Sequence, residues 1–134
     1  MLMPTKIFVP TDFSEHSDKA LEQALDIARQ YQAKVFVTHV IAVIRPEFEN
    51  ALRWEAEEKL KRQVERLPRA GGVDVSASVR TGIVYEEILK ESEEKGIDLI
   101  VIASLGQSGI AKYLVGGVAR NVLKSSRCPV LLTR

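Results

Sequence analysis

A single cysteine, Cys128, is the only thiol in the 134 residues of this chain. That excludes an internal disulfide and any metal site built wholly from cysteine, and it fits a reducing compartment. Neither sign of charge dominates. Lys and Arg number 19 against 18 Asp and Glu, leaving +1 with the two signs interspersed. This balance gives no electrostatic case for a nucleic acid or for an anionic membrane surface. No apolar run approaches the ~20 residues that span a bilayer. Met1-Leu-Met-Pro-Thr-Lys6 leads straight into a strand-like run, without the basic region and long apolar core of a signal peptide. The expected location is therefore the cytoplasm. Two phosphate-binding motifs are missing as well. There is no G-x-x-x-x-G-K-[ST], which excludes a P-loop NTPase, and no G-x-G-x-x-G after the first strand, which excludes the dinucleotide fingerprint.

What is present is organised around Asp98 to Val118. Leu99, Ile100, Val101 and Ile102 form an apolar run without alternation, the pattern of a strand buried on both faces of a parallel sheet. A loop with Gly106, Gly109, Gly116 and Gly117 follows. A helical pattern then places Val118, Ala119, Val122 and Leu123 on one face. Strand, glycine-rich loop and helix start together suit a phosphate cradle. Glycine lets the backbone approach a ligand, and a helix N-terminus offers free N–H donors and the positive end of a dipole.

The remaining elements agree with such a frame. Ile7, Phe8 and Val9 predict a first strand ending at Pro10, and Ser14 an N-cap for a helix over 15–31 with Ala20, Leu21, Ala24, Leu25, Ala28 and Tyr31 at helical spacing. Residues 35–41 predict a second strand. Phe48, Leu52, Ala56, Leu60, Val64 and Leu67 predict the stripe of a second helix over 47–67, ended by Pro68 and Gly71-Gly72. Val73, Val75, Ala77 and Val79 alternate with polar residues, as an edge strand does. A third helix over 84–95, with Val84, Ile88 and Leu89 inward, stops at Gly96, and a fifth strand lies at 130–132. The resulting βαβαβαβαβ order predicts one α/β domain over 1–134, doubly wound, with a five-stranded parallel sheet and four helices on two faces; the strand order expected for it, which the alternation alone does not fix, is 3-2-1-4-5.

In an open parallel sheet, ligands sit beyond the carboxyl ends of the strands, where the chain order reverses. The first and fourth strands end in the most suggestive chemistry. Pro10, Thr11 and Asp12 bring a hydroxyl and a carboxylate, and Ile102 to Gly106 opens the glycine loop. Asp12 is read as a ligand group ahead of a plain turn residue, while Thr11 is divided evenly between ligand and local backbone. Glycines at a helix start cost backbone entropy unless something approaches them, which singles out Gly116-Gly117. His39 is read as a hydrogen-bonded rim histidine, and Trp54 as a packing or surface-contact residue. Lys112 is read as a solvated loop charge and Cys128 as a small buried residue.

Taken together, these residues resemble the universal stress protein family over nearly the whole chain. The resemblance is carried by Ile7-Phe-Val-Pro-Thr-Asp-Phe-Ser14, Thr38-His-Val-Ile41, Asp98-Leu-Ile-Val-Ile-Ala-Ser-Leu-Gly106, Leu114-Val-Gly-Gly-Val-Ala119 and Cys128-Pro-Val-Leu-Leu132. ATP-binding members carry glycine, two residues, glycine, nine residues, then glycine and Ser or Thr. Here Gly106 and Gly116 keep the second and third glycines, Ala103 replaces the first, and Gly117 replaces the hydroxyl residue. The resemblance implies an adenosine lying along Pro10, Thr11 and Asp12, with Asp12 near a nucleotide-bound magnesium. It further implies an adenine pocket at Val40, Ile102 and Ala103, phosphates on the amides of Gly106, Gln107, Gly116, Gly117 and Val118, and a homodimer through the final strand, 129–133.

Three functions follow as expectations. The first is an ATP-binding, or adenine-nucleotide-binding, regulatory protein of the stress response without efficient catalysis. The second is a stress protein acting through protein contacts and holding no nucleotide. The third is a very slow ATPase in which Asp12 and a divalent cation polarise a phosphate. An extended Ala103 tolerates its methyl group. The missing hydroxyl at Gly117 costs one hydrogen bond to phosphate, so binding is expected to be weakened, not abolished.

Overall fold

The computed structural model describes residues 2–42, 45–67, 72–105 and 115–134. Five parallel strands, β1 (Lys6–Pro10), β2 (Lys34–Ile41), β3 (Val75–Thr81), β4 (Leu99–Ala103) and β5 (Val130–Thr133), form one sheet in the order β3-β2-β1-β4-β5. The helices are α1 (Glu15–Tyr31), α2 (Glu49–Arg66), α3 (Val84–Glu94) and α4 (Gly117–Ser125), and a 3₁₀ turn at Pro46–Phe48 precedes α2. Among the described residues no helix is long and apolar enough to cross a membrane.

The period of two explains why each central strand is apolar throughout. Ile7, Val9, Val35, Val37, Leu99 and Val101 point to one face, where they form a core with α1 and α2. Phe8, Ile100 and Ile102 point to the other, where Ile88 of α3 and Ala119 and Val122 of α4 cover them. At the far end from the site, Asp98 accepts bonds from the amides of Thr5 and Lys6 and from the Thr5 hydroxyl, tying the start of β1 to β4.

Helix boundaries follow local chemistry. Ser14 caps α1 by accepting from Ser17 N, and Gly96, at φ +64°, takes the left-handed turn after α3. Several residues expected to face inward do not. Tyr31, Phe48, Leu52, Val118 and Leu123 are all exposed. Phe48 lies in the 3₁₀ turn, off the α-helical phase that aligns Ala56, Leu60 and Val64. Tyr31 is the last residue of α1, and Val118 sits in the first turn of α4, so both lie at helix ends. Trp54 is exposed too, so it packs into no core. The helix stop expected at Pro68 and Gly71 falls outside the described residues.

Candidate functional site

The order of strands reverses between β1 and β4, and a crevice opens beyond their carboxyl ends. Its first wall is the turn after β1. Thr11 N donates to Thr38 O at 2.9 Å, holding the turn against β2. Asp12 Oδ1 accepts from both the amide and the hydroxyl of Ser14, so the carboxylate orients the turn that starts α1. Phe13 takes φ +68°, a left-handed conformation uncommon for a bulky residue. Its amide is held by Thr11 Oγ1 at 3.0 Å.

The second wall is the junction of β4 and α4. Ala103 is the last residue of β4 and pairs with Thr133 of β5, so it is extended, as expected. No glycine is needed there for conformation. Ser104 N donates to Thr133 O, and Gly116 N donates to Ser104 O, each at 2.7 Å. These two bonds bring the start of α4 against the end of β4. A Cβ on Gly116 would approach Ser104 O at 3.2 Å, whereas a Cβ on Gly117 meets nothing within 4 Å. The two adjacent glycines therefore serve different ends. Gly116 permits a close backbone approach, and Gly117 faces open space.

Between the walls lies a cavity of about 310 Å³, at the small end of the usual range for ligand pockets. Pro10, Thr11, Asp12, Val40, Ile102, Ala103, Gly116, Gly117 and Val118 all line it. Every candidate position within the described residues thus meets at one cavity. Gly106 and Gln107 lie outside the described residues, as does Lys112. The apolar lining from Val40, Ile88, Ile102 and Ala119 is continuous with the core beneath α3 and α4. Gly117 and Val118 stand in the first turn of α4, whose amides have no intrahelical acceptor. The Gly116 amide differs from the expected phosphate donor, because Ser104 O already occupies it.

The side chain of Thr11 is likewise committed inward. It is buried and lies 2.8 Å from Gln63 Oε1. His39 lines the same cavity, with Nδ1 2.8 Å from Thr11 O and its ring stacked on Phe13 at 4.3 Å. A carbonyl only accepts, so the proton resides on Nδ1. Burial lowers the His39 pKa from its ordinary 6.5. The bond to Thr11 and the charge of Asp12 oppose that shift, while Lys59 adds to it. Among the described residues no group of three or more His, Cys, Asp or Glu gathers to hold a metal. A cation at Asp12 would therefore need oxygens supplied by a ligand.

Several lining residues were not expected from sequence. Val84 and Ile88 of α3 read as plain core. Ser17, Thr38 and Ser104 carried no separate signal beyond their place in or beside the site segments.

Residues 3–134 match the model of the universal stress protein family. Universal stress protein MJ0531 of Methanocaldococcus jannaschii is 32% identical over 139 residues, covering 96% of this chain and 81% of its own. The solved structure of hypothetical protein MJ0577, from the same organism, superposes with a TM-score of 0.83 at 34% identity, over 98% of this chain and 96% of that one. A universal stress protein solved in complex with cAMP superposes at 0.78 with 27% identity, over 98% and 97% of the two chains.

Proposed function

The chain belongs to the universal stress protein family, and on that premise we propose that its crevice binds an adenine nucleotide, ATP with magnesium, as a regulatory ligand. The observation that carries this reading is the meeting of the Asp12 turn and the first-turn amides of α4 at one 310 Å³ cavity with an apolar flank. Val40, Ile102 and Ala103 would pack against the base. Pro10, Thr11 and Asp12 would lie along the sugar, the first two through backbone. The amides of Gly117 and Val118 would meet phosphate oxygens, aided by the helix dipole. Gly106 and Gln107 complete the proposed set. Gly116 contributes close packing in place of its amide. The relative solved with cAMP supports an adenine nucleotide as the ligand class.

The protein is proposed to act without efficient catalysis, in the cytoplasm, as a homodimer, with no nucleic acid or membrane partner. Bound magnesium would supply charge neutralisation, and Asp12 is the one carboxylate lining the cavity among the described residues. Titration calorimetry with ATP and magnesium tests the reading. Saturable heat is expected in wild type and weaker binding in Asp12→Ala. An absence of heat at millimolar ATP leaves the reading by protein contacts alone. Phosphate release is expected to be no faster in wild type than in Asp12→Ala. A clear excess would favour the slow ATPase.

A further inference from the structure

We propose that Gln63 of α2 is a positioning residue for this cavity, holding the Thr11–Asp12 turn in its binding shape from the far side of the turn. The inference rests on the adenine-nucleotide reading above, and its test separates the two. Gln63 is 1% exposed and stands on the stripe of α2 otherwise formed by Ala56, Leu60 and Val64. A polar side chain there is costly unless bonded, and its bonds run toward the site. Nε2 donates to Asp18 Oδ1 at 2.7 Å. A carboxylate only accepts, so this contact fixes the amide's orientation and turns Oε1 to Thr11. Thr11 Oγ1, 2.8 Å away, must then donate to it. The same oxygen accepts the Phe13 amide at 3.0 Å, at the residue with φ +68°. Arg66 closes the chain with Nη2 at 2.9 Å from both oxygens of Asp18. Asp12 lies between Thr11 and Phe13, so its backbone is held by a hydroxyl that faces Gln63 Oε1 at 2.8 Å and Ser17 Oγ at 2.9 Å. An apolar residue at 63 would fill the stripe equally well and would leave that hydroxyl only Ser17 Oγ, 2.9 Å away, to donate to, releasing the tie between the turn and α2.

Gln63→Met keeps the length and removes the bonds, and Thr11→Val removes the hydroxyl at nearly constant shape. In Gln63→Met, ATP–magnesium affinity by calorimetry is expected to fall roughly fivefold or more, and the Phe13 amide to exchange faster than it does in wild type, by more than the amides of Ala24 and Leu25 in α1 change. In Thr11→Val/Gln63→Met both partners are gone, so stability partly returns while affinity stays low. Affinity recovering together with stability would reduce Gln63 to a packing residue and overturn the proposal. Unchanged Phe13 exchange in Gln63→Met overturns it too. Should wild type bind no ATP, AMP or cAMP, the functional reading falls, and Phe13 exchange alone decides whether Gln63 holds the turn.

Discussion

Gly117 is the position where one side chain would set the strength of the proposed phosphate contact. It is the first residue of α4 and has open space around its missing Cβ. A hydroxyl there would stand beside free first-turn amides and reach a bound phosphate. One hydrogen bond to a charged group is worth about 1.5–3 kcal/mol, so Gly117→Ser is expected to tighten ATP roughly tenfold to a hundredfold by calorimetry. Equal affinity would mean that the phosphates do not approach α4. His39 gives a second test. Because burial lowers its pKa, the unfolded chain takes up the ring proton at higher pH than the folded one. Its contribution is fully present above the ordinary 6.5 and is lost as pH falls toward the lowered folded value. The urea midpoint should therefore drop between about pH 7.5 and about pH 5.5, and drop less in His39→Gln. Identical losses would place the titration elsewhere. The lining of the candidate cavity was legible at Asp12 and Gly116, though not the role of the Gly116 amide, because a strand end and a paired-glycine helix start advertise themselves locally. Gln63 was not, because the meaning of a buried amide lies in which residue faces it 52 positions away.

At the scale of elements, apolar periodicity read the central turns of α1 and α2 well and failed where helices end. Phe48, Leu52, Val118 and Leu123 keep helical spacing yet lie exposed. Periodicity also passed over the polar residues inside the stripes. Glu91 of α3 is fully buried, with Oε2 2.8 Å from Thr38 Oγ1 and 2.6 Å from Lys95 Nζ, while Arg80 of β3 stands 3.6 Å from Oε1. Arg80 also binds Glu87 at 3.0 Å and Glu94 at 3.2 Å, joining the strand to three positions on one helix. Since Thr38 lines the cavity, this cluster supports its floor from below. Arg80→Met leaves Lys95 to balance Glu91 but strips Oε1 of the one cationic group paired with it among the described residues. A buried charged group left short of a partner costs about 1–3 kcal/mol or more. The expected result is a lower urea midpoint at unchanged m-value, larger than the loss in Glu94→Gln on the exposed side. Equal losses would mean that the buried carboxylate is satisfied without Arg80.

For the whole molecule, the alternating order of elements was enough to give the doubly wound sheet, since a parallel strand needs a crossover and the central strands read as buried. What it leaves open is how the two sheet edges are managed. On β3, Arg53 of α2 reaches over and donates to Val79 O at 2.9 Å. On β5, Leu131 is 36% exposed, and among the described residues the strand pairs with β4 on one side only. A bare apolar edge invites another strand, which supports pairing between two copies. Leu131→Lys would put a charge into that contact, so the scattering mass is expected to fall from twice 14.9 kDa to 14.9 kDa. A consequence for binding follows from the backbone. Thr133 O holds Ser104 N, and Ser104 O holds Gly116 N, both at 2.7 Å. Loosening β5 therefore loosens the wall that carries α4, and the monomeric variant should bind ATP more weakly than the dimer. A Leu131→Lys protein that stays dimeric would place the two-fold contact elsewhere. One that becomes monomeric with full affinity would show that the cavity wall needs no support from beyond its own chain.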